Sequence, residues 1–90
     1  MSESEGHIHT TPAERLVMMA NQIAKAFAPL GEARAVPKIA EHIKKFWDPR
    51  MRRQMDAHVA AGGAGLEPYA KAAMERLIQE SADTRSSGVH

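Results

Sequence analysis

The residues best suited to chemistry in this sequence are cations, and they surround its only tryptophan. The basic segment, residues 44–53, contains Lys44, Lys45, Trp47, Arg50, Arg52 and Arg53. Asp48 suits the N-cap of a helix and Pro49 its first position, which has no intrahelical partner for an N–H group. All three arginines are then predicted to lie in the first turn of the helix, where the helix dipole disfavours each exposed cation by about 0.3–1 kcal/mol. Folding alone does not require this arrangement, so we predict that the segment contacts an acidic partner.

Three interpretations of the basic segment remain open. Its five cations and one carboxylate give a formal charge of +5 − 1 = +4. Trp and Arg are enriched among residues that anchor protein interfaces, which favours a protein partner bound by the six residues named above. A solvated surface is the plain alternative, because Asp56 can pair with Arg52 at i,i+4 or with Arg53 at i,i+3. The third interpretation is a free-standing helical module that binds nucleic acid through this segment, although the chain's net charge of +1 predicts weak, salt-sensitive binding.

Other kinds of site are not indicated by the residue types. With no cysteine, the chain has no disulfide, thiolate metal site or cysteine nucleophile. The five histidines lack the spacing of a helical metal clamp, and the carboxylates form no recognisable catalytic pair or triad. The glycine-rich stretch 62–65 lacks the strand and the Lys-Ser or Lys-Thr pair of a phosphate loop. We therefore expect no catalytic, cofactor-binding or metal-binding residues in this chain.

The elements that position these residues are predicted to be helices. No sustained alternation of apolar and polar residues indicates a strand. The first helix begins with Thr11 as cap and Glu14 closing a capping box, and it ends at Pro29 and Gly31. Its predicted apolar face comprises Leu16, Met19, Ala20, Ile23, Ala26, Phe27 and Leu30. The second helix is predicted to begin near Pro37. Its predicted buried positions are Ile39, Ala40, Ile43, Phe46 and Trp47.

The third and fourth helices have thinner apolar faces. The third is predicted over about residues 49–61, with apolar positions Met51, Met55 and Val59. Gly62 and Gly63 stop it, because glycine accepts the left-handed conformation of a helix C-terminus, and this leaves Leu66 to pack back against the cap. The fourth begins near Pro68. It offers the apolar residues Ala70, Ala73, Met74, Leu77 and Ile78.

These patterns predict an all-α fold, a compact bundle of about four short helices with disordered termini. Residues 1–10 and 81–90 are polar and nearly free of apolar side chains, so we expect a disordered leader and tail around a domain of residues 11–80. No apolar run reaches the length of a membrane span, and residues 1–10 lack the features of a signal peptide. The expected location is the cytoplasm.

Four strings of residues together carry a family resemblance. They read Met-Ala-Asn-Gln-Ile at 19–23, Ile-Ala-Glu-His-Ile-Lys-Lys-Phe-Trp-Asp-Pro-Arg-Met-Arg-Arg at 39–53, His-Val at 58–59 and Gly-Gly-Ala-Gly-Leu at 62–66. The chain resembles the delta subunit of bacterial NAD-dependent formate dehydrogenases over about residues 15–80. The Phe-Trp-Asp-Pro-Arg-Met-Arg string with the downstream Gly-Gly-Ala-Gly-Leu is the most specific part of the likeness.

The resemblance implies a non-catalytic accessory subunit of a soluble enzyme. Such a subunit binds the large alpha subunit, with beta and gamma subunits in the same complex, and helps the complex to assemble or stay intact. The larger subunits carry the pterin-bound molybdenum or tungsten, the iron-sulfur clusters, FMN and NAD, and they oxidise formate. No chemistry is implied for this chain, which agrees with the lack of a recognisable catalytic site.

Overall fold

Four α-helices and one 3₁₀ turn make up residues 11–88, the part of the chain that the computed structural model describes, with side chains described to Asp83. The helices are α1 (Pro12–Phe27), α2 (Glu32–Phe46), α3 (Pro49–Ala60) and α4 (Pro68–Gly88), and the 3₁₀ turn (Ala28–Leu30) follows α1. No strand occurs within these residues. The prediction of an all-α bundle is therefore confirmed. The predicted leader, residues 1–10, and the last two residues of the predicted tail lie outside the described part.

The start of α1 is fixed by the predicted capping box. The backbone N–H of Glu14 donates to Oγ1 of Thr11 at 3.0 Å, and the Thr11 N–H donates to Oε1 of Glu14 at the same distance. Both bonds satisfy donors that would otherwise lack a partner at the helix end. The 3₁₀ turn and Gly31, with φ of 85°, end this region near the predicted positions.

The apolar face of α1 is rotated from the predicted one. Its buried residues are Leu16, Val17, Ala20 and Ala24, whereas Met19, Ala26 and Leu30, which we expected to be buried, are exposed. The loop after α3 explains the rotation, because it covers Val17, whose Cγ1 lies 3.4 Å from the Cβ that a side chain at Gly65 would have. The side of α1 that carries Met19 and Ala26 is left uncovered.

The second helix begins at Glu32, five residues before the predicted start at Pro37. Gly31 leads into it, since the N–H groups of Arg34 and Ala35 donate to the Gly31 carbonyl at 3.1 and 2.7 Å. A proline inside a helix removes the hydrogen bond to the carbonyl four residues earlier, here that of Ala33. Ala33 is exposed, so water can satisfy its carbonyl, and the helix continues through the proline.

Only one of the two adjacent aromatic residues at the end of α2 is buried. Trp47 adopts extended backbone angles, φ −90° and ψ 135°, and turns into the core with 7% of its surface exposed. Phe46 is the last residue of α2 and is 68% exposed, so our prediction that it is buried was wrong. The reason is steric, because two successive side chains at a helix end cannot both point to one side.

The end of α3 follows the predicted glycine stop. Gly63 donates its N–H to the His58 carbonyl and Gly62 donates to the Val59 carbonyl, both at 2.9 Å, which is the hydrogen-bond pair of a Schellman motif. Gly63 has φ of 67°, in the left-handed region. Leu66 is half-buried against the core, as predicted.

The fourth helix extends to Gly88, so residues 81–88 are helical rather than part of a disordered tail as expected. Ser81 and Ala82 are half-buried, and Nε2 of Gln79 donates to Oδ1 of Asp83 at 2.9 Å across one helical turn. These contacts stabilise the helix beyond residue 80, where we had predicted its end. The domain limits of residues 11 and 80 stay predictions.

The core lies among all four helices, with the most extensive contact between α2 and α4. Small alanines on α1, α2 and α4 allow close approach of the helices, and the large side chains fill the space between them. The buried apolar residues are Leu16, Val17, Ala20, Ala24, Ala35, Ile39, Ala40, Ile43, Trp47, Met55, Ala70, Ala73, Met74 and Leu77.

Candidate protein-binding surface

The basic segment lies at the corner where α2 ends and α3 begins. Oδ1 of Asp48 accepts a hydrogen bond from the Met51 N–H at 2.9 Å, and Pro49 is the first residue of α3, as predicted. Arg50 and Arg52 therefore lie in the first turn of α3, with Arg53 directly after it. The first turn of α3, at the positive end of the helix dipole, thus contains two arginines and no acidic residue.

Two cations of the basic segment have carboxylate neighbours. Nζ of Lys44 lies 3.7 Å from Oε1 of Glu80 on α4, and both side chains are well exposed, so this pair contributes little to stability. Nε of Arg52 lies 4.0 Å from Oδ1 of Asp56, one of the pairings expected for a solvated surface. Both of these atoms are shielded from solvent and have no hydrogen-bond partner within the described residues. Arg52 is therefore directed toward its own chain, whereas Lys44 is exposed and has one weakly paired carboxylate neighbour.

The other three cations face outward. Lys45, Arg50 and Arg53 are exposed, and none has a carboxylate within 4.0 Å among the described side chains. The six residues that we selected from the sequence are therefore divided. Three exposed cations remain on the surface at the α2–α3 corner, two are paired, and Trp47 belongs to the core.

An open apolar groove beside this corner was missed in the sequence. We name it the Phe46 groove, and it has a volume of about 500 Å³. It lies between α1, the end of α2 and the start of α3. Its lining residues are Met19, Gln22, Ile23, Ala26, Phe27, His42, Phe46, Trp47 and Met51.

Phe46 forms a ridge at the edge of this groove. Its ring centroid lies 4.7 Å from that of His42, and the His42 ring in turn meets Phe27 edge-on at 6.3 Å. A smaller cavity of about 210 Å³ on the other side of the ridge shares these three rings and also contacts Lys38, Glu41 and Lys45. The exposed aromatic ring thus stands directly beside a cation of the basic segment.

The sequence did contain a signal for this groove. The apolar residues of α1 extend around the helix from Leu16 and Val17 to Met19 and Ala26, which is more than the core can cover. We assigned Met19 and Ala26 to the core because a helix normally has one apolar face. A stripe this wide indicates a second apolar surface beside the one that faces the core.

The glycine-rich loop is held against α1 by one side chain, Asn21. Its Nδ2 donates to the Gly65 carbonyl and its Oδ1 accepts from the Glu67 N–H, both at 2.9 Å. Nε2 of His58 lies 2.7 Å from the Ala64 carbonyl oxygen, which can only accept, so Nε2 carries the proton. These contacts give the loop a structural role and place it on the opposite side of α1 from Met19.

The family model of the NADH-dependent formate dehydrogenase delta subunit FdsD matches residues 15–74 of the 90. The chain belongs to this family. The resemblance seen in the sequence is thereby confirmed, and the matched residues of this FdsD family member include the basic segment, the Phe46 groove and Asn21. No curated protein and no solved structure matches the chain.

Two further observations bear on what this FdsD family member can bind. Within the described residues there is no group of three or more His, Cys, Asp or Glu side chains that could hold a metal ion. None of the helices described here combines the length and apolar character needed to cross a membrane. The α2–α3 corner therefore combines three exposed cations with an apolar groove close by.

Proposed function

We propose that the chain is a non-catalytic accessory subunit of a cytoplasmic NAD-dependent formate dehydrogenase. In this proposal it binds the large alpha subunit and supports the assembly or stability of a complex that also contains beta and gamma subunits. Pterin-bound molybdenum or tungsten, iron-sulfur clusters, FMN and NAD are bound by those partners and not by this chain. Membership of the FdsD family supports the proposal, because a delta subunit is by name one of several subunits.

The exposed arginines of α3 are the observation that carries the binding role. Arg50 and Arg53 lie at the positive end of a helix and have no carboxylate within 4.0 Å among the described side chains. A guanidinium group binds a carboxylate through two parallel hydrogen bonds, which gives it both strength and defined geometry. An acidic surface of the alpha subunit would remove the unfavourable interaction with the helix dipole. We therefore assign Arg50, Arg53 and Lys45 to the direct contact with the alpha subunit. In this proposal Lys44, Arg52 and Trp47 hold the contact surface in place.

The same cations give less support to a nucleic-acid-binding module. Binding to nucleic acid gains affinity from each phosphate that a cation neutralises. Lys44 and Arg52 lie beside Glu80 and Asp56, so the outward charge of the segment is smaller than its sequence suggests. The exposed apolar groove beside the cations also fits a protein partner better than a phosphate backbone.

The proposal is tested by charge reversal on α3. The double variant Arg50→Glu, Arg53→Glu is co-expressed with a tagged alpha subunit, and the amount of delta chain that co-purifies is measured. We expect a loss of at least about tenfold, since truncating an interface charge pair costs about 2 kcal/mol or more. Helical circular dichroism should be unchanged, because both side chains are exposed and acidic residues suit a helix N-terminus.

The matched control is Arg34→Glu, which reverses an exposed arginine in the first turn of α2, away from the corner. Unchanged co-purification of the double variant would remove the two arginines from the interface. If the wild-type chain itself failed to co-purify with the alpha subunit, the accessory role would be wrong.

A further inference from the structure

We infer that the Phe46 groove binds an amphipathic helix of the alpha subunit that carries acidic residues along its edges. This inference rests on the proposed function and adds the binding mode and the chemistry of the bound segment. Three observations support the inference. The groove is apolar and exposed, the chain segments that form it carry an excess of cations, and its shape suits side chains that project from a helix.

The groove exposes apolar side chains that the core does not use. Phe46 is 68% exposed and Met19 is 37% exposed, and they line the same depression from α2 and α1. The half-buried rings of Phe27 and His42 and the exposed ring of Phe46 form one aromatic surface that an aliphatic side chain can contact. A polar partner would gain nothing from this lining, so the bound segment must present apolar residues.

The charge around the groove is complementary to an acidic segment. The nine lining residues come from residues 19–27 and 42–51, two segments that contain four cations and one carboxylate, a net charge of 4 − 1 = +3. Of these cations, Lys45 shares the smaller cavity with Phe46, together with Lys38 and Glu41. The whole chain has a net charge of +1, so the rest carries 1 − 3 = −2. The carboxylate is Asp48, which is already the cap of α3. Without Lys44, which lies beside Glu80, the two segments still carry +2.

The form of the groove favours a helix over an extended strand. An extended peptide binds mainly through backbone hydrogen bonds to the edge of a sheet, and residues 11–88 contain no strand that could offer such an edge. A helix in a groove needs only side-chain contacts, made by residues spaced at i, i+3, i+4 and i+7. A volume of about 500 Å³ between three helices accommodates a few such side chains.

The first test uses two neighbouring methionines as a matched pair. Met19 lines the groove, whereas Met18 is 59% exposed and lies outside it. Met19→Glu and Phe46→Glu should each lower recovery of the delta chain with the tagged alpha subunit by about tenfold or more, as expected for anchor residues of an interface. Met18→Glu and Leu30→Glu are the controls and should stay within about twofold of the wild type. Circular dichroism and thermal melting of each purified variant identify any that fails to fold.

The second test identifies what lies in the groove. A photo-crosslinking phenylalanine analogue is placed at position 46, and at position 18 as control, in the assembled complex. The expected product joins position 46 to an alpha-subunit segment with apolar residues at helical spacing and flanking Asp or Glu. Crosslinking to a second copy of this chain, to another subunit or to a segment without that pattern would overturn the inference.

The two proposals fail in different ways. If the wild-type chain does not co-purify with the alpha subunit, the accessory role itself is wrong. If the wild type co-purifies and the folded Met19→Glu and Phe46→Glu variants do so equally well, the accessory role stands and the groove is not the binding site.

Discussion

Replacement of Asn21 by alanine should destabilise the fold through the glycine-rich loop. Asn21 makes two side-chain hydrogen bonds of 2.9 Å to Gly65 and Glu67, residues 44 and 46 positions away. Each such bond contributes about 0.5–1.5 kcal/mol, so their loss costs about 1–3 kcal/mol. Alanine is a better helix former than asparagine by about 0.6 kcal/mol, which offsets part of this loss. We expect the free energy of unfolding to fall by about 0.4–2.4 kcal/mol.

Asn21→Asp separates the two hydrogen bonds. Aspartate keeps an oxygen that accepts from the Glu67 N–H, but it has no N–H to donate to the Gly65 carbonyl and instead faces that oxygen with negative charge. The aspartate variant should therefore be no more stable than the alanine variant, although it is closer in shape to the wild type.

Urea unfolding followed by circular dichroism measures these differences in the purified chain. Gln22→Ala is the control, because Gln22 is an exposed amide in the next position of α1 and should change stability by less than about 0.5 kcal/mol. If Asn21→Ala were as stable as Gln22→Ala, the two hydrogen bonds would contribute nothing and our account of the loop would be refuted.

Two further predictions concern stability. Trp47→Ala should lower the free energy of unfolding by about 3–5 kcal/mol, because Trp47 is buried, whereas Phe46→Ala should change it by less than about 0.5 kcal/mol. Similar losses for both in urea unfolding would contradict the division of roles between the two aromatic residues. Gly63→Ala should lower the melting temperature, because a left-handed residue other than glycine costs about 1 kcal/mol or more. Ala64→Gly in the same loop is its control, and equal melting of the wild type and Gly63→Ala would exclude strain at that position.

The features that the sequence predicted correctly are set by local chemistry. The capping box of Thr11 and Glu14, the cap at Asp48 and the glycine stop after α3 each involve residues within five positions of one another. Their hydrogen bonds depend on backbone geometry that a short string of residues determines by itself. Sequence patterns of this length are therefore sufficient to predict where these helices begin and end.

The features that were missed depend on distant parts of the chain. Nothing near Asn21 indicates that it binds a loop more than forty residues away, and the loop in turn decides which side of α1 is covered. The inclusion of Pro37 in α2 depends on Ala33 being open to solvent, which only the packed structure determines. The family resemblance identified the family of the chain, but it could not show which side chains face outward.

The backbone conformation of the turn between α2 and α3 determines the positions of both the exposed Phe46 ring and the exposed arginines. Because Trp47 takes an extended conformation before the Asp48 cap, its indole enters the core and Phe46 is left on the surface at the end of α2. The same cap begins α3 directly afterwards, so Arg50 and Arg53 lie on the surface at the same corner of the fold. A chain that needed only a stable fold could place acidic residues in this first turn, and that change would stabilise the isolated domain. The partner that we propose would cover both the apolar ridge and the cations, which gives these two features one explanation.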